Sequence, residues 1–168
     1  MRKEAVMANG LSVSNQEDHV EEQVDVGLLE TLICLESLLV ICYQVMAGLL
    51  HNQTIRRECQ QLKQHMQCRQ EELKRIFLFS PKSEAAIESK MYKYLLQFRL
   101  PYLSLREVIN IAIHLTAFKI DIYKYLSHAI PGYHEPLNSI LTDNVEEMDF
   151  LWHEKDFHQH RSDAYLKV

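Results

Sequence analysis

The stretch Leu28 to Leu50, LLETLICLESLLVICYQVMAGLL, limits the fold more than any other part of this chain. Its residues Leu28, Leu32, Leu35, Leu39, Cys42, Met46 and Leu49 recur at steps of three and four, the spacing of one helix face. More apolar residues fill the remaining faces, so this helix needs cover on most of its circumference. Roughly 20 apolar residues would span a bilayer. Glu30 and Glu36 interrupt the run, however, and a carboxylate within a span costs about 2.5–3.5 kcal/mol. No cationic flank follows until Arg56. The expectation is no membrane span, but a helix central to a core or covered by a second subunit.

The rest of the chain must supply that cover. It has 168 residues with four Gly and four Pro, so turns are few and elements long. Residues 1–22 are polar and without period, which reads as a flexible arm before a single domain over 23–168. Helix one is expected over 24–50 and helix two over 53–78, the latter with a thin stripe of Ile55, Cys59, Leu62, Met66, Leu73, Ile76 and Phe77. Pro81 ends it, and Ser83 can cap a short helix over 84–98 that Pro101 closes. Ser104-Leu-Arg-Glu107 has the form of a capping box and opens helix three, 105–129, with Val108, Ile111, Leu115, Phe118, Ile122 and Leu126 as its stripe. After IPGYHEP, helix four runs over 136–159, carrying Leu137, Ile140, Leu141, Met148, Leu151 and Trp152.

No strand signal competes, so the chain is read as all-α. Four long helices form two hairpins, joined by a helical connector of about 26 residues. A four-helix bundle with one long crossover is the ferritin-like arrangement.

Composition removes several functions. The net charge is −5 and no basic block stands out beyond Arg56-Arg57, which argues against nucleic-acid binding. Cys34, Cys42, Cys59 and Cys68 contain no Cys-x-x-Cys pair and read as reduced, buried thiols of a cytoplasmic protein. The opening Met-Arg-Lys is not followed by an apolar core, so no signal peptide is expected. There is no Gly-rich phosphate loop and no nucleophile-and-base motif.

Four segments resemble the ferritin and bacterioferritin family. LESLLVICY looks like the family pattern of a ligand Glu followed seven residues later by a core Tyr, here Glu36 and Tyr43. HMQCRQEELKRIFLF is similar to the bacterioferritin segment ending in an Arg-Ile-Leu-like run, and YKYLSHAI to its Asn-Leu-Arg-Glu-Ala-Ile. ILTDNVEEMDFL is similar to its Ile-Leu-Arg-Asp-Glu-Glu-Gly-His-Ile-Asp-Trp-Leu. The likeness covers about residues 24–160 and implies a ferritin-like bundle.

That family's di-iron centre takes one Glu from each of two helices and Glu-x-x-His from each of the other two. Carried over by resemblance, Glu36 is retained. His65 and Cys68 stand for Glu and His on helix two, Lys119 for the bridging Glu on helix three, and Asn144 and Glu147 for Glu and His on helix four. An ammonium at the centre repels iron, and Lys119 can instead pair with Glu36 and Glu147. The expectation is therefore a ferritin-like protein with a degenerate di-iron site, in which Glu36, Lys119 and Glu147 form a charge cluster. It would be a non-catalytic binding or scaffold protein without cofactor, a homodimer through the apolar face of helices one and two, with a protein partner. The alternative is a divergent metal-binding protein or metal-dependent oxidase holding iron or zinc through Glu36, His65, Cys68 and Glu147, since thiolate, imidazole and carboxylate all suit zinc. A third reading places a small molecule where the irons would have been. Met66 falls where bacterioferritins carry an interfacial haem ligand, but reads as packing. His114 reads as a core or interface residue. His153, His158 and His160 read as a solvated terminal face.

Overall fold

The computed structural model describes residues 26–76, 81–99, 102–130, 132 and 134–165. The arm expected over 1–22, Phe77, the Ser83 cap, Pro101 and the side chain of His160 lie outside those residues. Among the described residues five helices follow in order: α1 (Val26–Leu49), α2 (Gln53–Ile76), α3 (Pro81–Phe98), α4 (Leu105–Ala129) and α5 (His134–Tyr165). No strand occurs among the described residues, and the chain is all-α.

The helix ends follow local chemistry. Asn52 Oδ1 accepts from the backbone N–H groups of Thr54 (2.9 Å) and Ile55 (3.4 Å), capping α2. Arg56 reaches back to the Leu50 carbonyl at 2.7 Å and satisfies the end of α1. Ser104 and Glu107 form the full capping box of α4. Arg99 ends α3 at φ 50°, a left-handed conformation in which glycine is the usual occupant. The short helix begins at Pro81 rather than Glu84, as suits proline at a first turn. The last helix is longer than its apolar stripe implies.

α1 and α2 are antiparallel, joined by Gln70–Ser37 (2.9 Å) and Lys63–Gln44 (2.6 Å). α4 begins beside that hairpin, since Leu105 shares a cavity with Leu49, Leu50, His51 and Asn52. The connector between Ile76 and Leu105 therefore carries the chain back along the bundle, and α4 runs parallel to α2. α5 then returns, bringing Phe157 and His158 to the hairpin end.

By length and composition Gly27–Leu49 could cross a membrane. In this fold α1 packs at the centre of the helices. Leu32, Leu38, Leu39, Cys42, Tyr43 and Met46 are fully buried. α2 and α4 cover its inner sides, and α3 covers it from outside, with Ile87 buried and Lys90 paired to Glu30 at 3.0 Å. On the face where a dimer was expected, α3 covers α1, and the outer face of α2 is mostly exposed and polar. Leu49 at the end of α1 is exposed, but most of the exposed large apolar side chains lie elsewhere, among them Phe118 and Tyr125 on α4 and Val145 and Trp152 on α5.

Two inward stripes differ from the expected ones. On α4 the buried positions are Val108, Ala112, Leu115, Lys119, Ile122 and Leu126, flanked by Ile109, Thr116 and Tyr123, while Phe118 is exposed. On α5 they are Leu137, Ile140, Asn144, Glu147, Leu151 and Glu154, while Trp152 is exposed. In both helices a polar residue holds a place on the inward face, and a bulky apolar residue one step away drew the reading off phase.

Candidate functional site

The polar residues on those inward faces meet. Glu36 from α1, Arg69 from α2, Lys119 from α4 and Asn144 and Glu147 from α5 are all buried. Lys119 Nζ lies 2.9 Å from Glu147 Oε2 and 3.4 Å from Glu36 Oε2, bridging the two carboxylates. Glu147 Oε1 accepts from Tyr43 Oη at 3.1 Å and Thr116 Oγ1 at 3.0 Å. Glu36 Oε1 accepts from Tyr123 Oη at 3.1 Å and Arg69 Nη1 at 3.4 Å. Arg69 Nη1 also donates to Asn144 Oδ1. All four carboxylate oxygens thus have donors, and two acids face two cations. Such balance is what makes buried charge tolerable. One orphan remains: Asn144 Nδ2 has no acceptor among the described residues.

Burial, and then the neighbouring carboxylate, pushes the phenols of Tyr43 and Tyr123 well above the ordinary tyrosine range, so both act as donors. Burial opposes the charge of Arg69, but Glu36 and the other acidic groups around it outweigh that and hold its pKa above the ordinary value.

Glu36, Lys119 and Glu147 are therefore brought together. His65 and Cys68 are not: both are exposed on α2, away from the two carboxylates. The inward positions are one residue further on, Met66 and Arg69, both buried. Sequence reading missed Arg69, although the spacing held the signal. Cys59, Leu62, Met66 and Leu73 leave one gap in a three-and-four series, and position 69 fills it. Thr116 was missed too, three residues before Lys119 on the same face. Among the described residues no group of three or more His, Cys, Asp and Glu side chains is placed to hold a metal. The centre offers two carboxylates, no imidazole, and two cations already in contact, a donor set that does not suit a di-iron group. Met66 packs inside its own chain, and His114 is exposed rather than in the core. Cys34, Cys42 and Cys59 are buried as expected, but Cys68 is not.

Beside Arg69, between α2 and α5, a groove of about 380 Å³ is lined by His65, Cys68, Arg69, Glu72, Ser139 and Asp143, among others. Toward the hairpin end, Glu154 is buried, and its Oε2 has no hydrogen-bond partner among the described residues. His158 Nε2 lies 3.6 Å from that oxygen. Burial raises the Glu154 carboxyl pKa; His153 works against that shift and Glu58 adds to it. No family model, curated protein or solved structure matches this chain.

Proposed function

We propose that this chain is a ferritin-like four-helix protein in which a charge cluster stands where that family holds two irons, and that it acts as a non-catalytic binding or scaffold protein. One observation carries the reading: Lys119 Nζ lies between Glu36 Oε2 and Glu147 Oε2. An ammonium there satisfies the carboxylates a metal would need, and it repels a dication. The course of the chain supports the same reading. α1 and α2 form a hairpin, a helical crossover returns along the bundle, and α4 and α5 form a second hairpin, as in bundles with one long connection. Glu36 and Tyr43 both sit in the cluster, at the spacing on which the resemblance rests.

With the centre filled by fixed ion pairs, chemistry shifts to the outer surface, where a protein partner or a second copy of the chain would bind. A dimer would then use α4 and α5, which expose Phe118, Tyr125, Val145 and Trp152. The test is the metal content of the untagged protein after loading with ferrous iron and with zinc. The expected result is only trace metal, unchanged in a Glu36→Ala, Glu147→Ala variant. Near-stoichiometric metal that the double variant loses would overturn the reading in favour of a metalloprotein. A Lys119→Ala variant gives the converse: with the ammonium gone, the paired carboxylates should gain affinity for divalent cations.

A further inference from the structure

The groove between α2 and α5 holds three kinds of chemistry that the central cluster does not use. At its floor, Arg69 is 8% exposed and turns Nη1 inward to Glu36 and Asn144. Its Nε and Nη2 make no hydrogen bond among the described residues. Asp143 Oδ2 forms a loose ion pair with Nη2 at 3.9 Å, beyond hydrogen-bond reach. This edge of the guanidinium is a fork suited to a carboxylate. At the rim, Glu72 and Asp143 are exposed acceptors suited to an ammonium. Cys68, the one exposed thiol of the four, lines the same groove. The other three are buried and inert, burial pushing Cys34 up to about 11 and Cys42 and Cys59 up to about 12.

Carboxylate, ammonium and a sulfur electrophile occur together in amino-acid-derived disulfides, the class to which oxidised glutathione belongs. We propose that this groove binds a low-molecular-weight disulfide of that class and that Cys68 is modified by it to a mixed disulfide. The Cys68 thiol gives up its proton and its sulfur attacks one sulfur of the disulfide. That S–S bond breaks as the new one forms. The departing half leaves as a thiolate and takes up a proton, so Cys68 is oxidised and the released half is reduced. Arg69 and the rim carboxylates position the reagent. The modification holds or fails independently of what fills the centre of the bundle.

The test uses the full reduced chain with two reagents, oxidised glutathione and the uncharged 2-hydroxyethyl disulfide. Adduct formation is followed by intact mass and mapped by peptide digestion. Each rate is divided by that reagent's rate on the urea-unfolded chain, which removes intrinsic reactivity. The expected result is one adduct, on Cys68, with oxidised glutathione favoured by about tenfold, the scale of one charge-assisted hydrogen bond. That preference should shrink toward unity in a Glu72→Gln, Asp143→Asn variant. Both positions are exposed, so the variant keeps the fold. Equal normalised rates, a preference untouched by the rim variant, or adducts spread over the other cysteines would overturn the proposal.

Discussion

The middle of the bundle and its hairpin end both bury carboxylates, and they treat them in opposite ways. In the middle, Glu36 and Glu147 have a donor on every oxygen and two cations beside them. At the hairpin end, Glu154 is also buried, has an oxygen with no hydrogen-bond partner among the described residues, and has His158 Nε2 at 3.6 Å. The difference teaches that burial alone does not make a structural charge. The middle is a closed set that loses stability when one member is removed. The hairpin end carries an acid whose ionisation the fold opposes, and removing its charge should help.

The largest test of that contrast is Lys119→Met. It leaves Glu36 and Glu147 facing each other with one cation gone, and should cost about 3–5 kcal/mol, read from urea denaturation. Adding Glu147→Gln to that variant removes one of the two opposed charges, so the double variant should be more stable than Lys119→Met alone. A double variant as unstable as the sum of its parts would break the idea of a closed set. Tyr43→Phe is smaller: Thr116 still donates to the same oxygen of Glu147, so the loss should be about 1 kcal/mol. The hairpin end gives the smallest effect and the opposite sign. A carboxyl with a raised pKa in the folded state holds its proton more tightly there, so its contribution is favourable at low pH and lost as pH rises through the folded value. Glu154→Gln should therefore raise the denaturation midpoint near neutral pH. The gain should vanish as pH falls below the ordinary carboxyl value of 4.5. A loss of stability at neutral pH would show that the His158 pair outweighs desolvation.

Helix number and order were legible, because the apolar periods, the break at Pro81 and the capping box at Ser104 act over a few residues. Part of the site was legible too. Glu36, Lys119 and Glu147 were reached through the family resemblance, and the structure places them in contact. Arg69 was not, because the eye completes a hydrophobic stripe with hydrophobic residues. His65 and Cys68 look like ligands, and only the phase of the helix turns them outward. Phe118 and Trp152 misled for the complementary reason: in a short window their bulk outweighs their phase. The cover over α1 was illegible for another reason. Of the apolar residues of α3, Ile87, Met91 and Leu95 pack against the core, and only the course of the crossover brings them against α1.

That crossover has a consequence in time. α1 is finished at residue 49, but the helix that shields its outer side is complete only at residue 98. At about 5–20 residues per second, several seconds of synthesis pass in which a segment greasy enough to enter a bilayer trails from the ribosome unshielded. A nascent chain of this design depends on its place in the queue: whatever meets α1 in that interval, chaperone, membrane or a neighbouring copy, competes with its own later sequence.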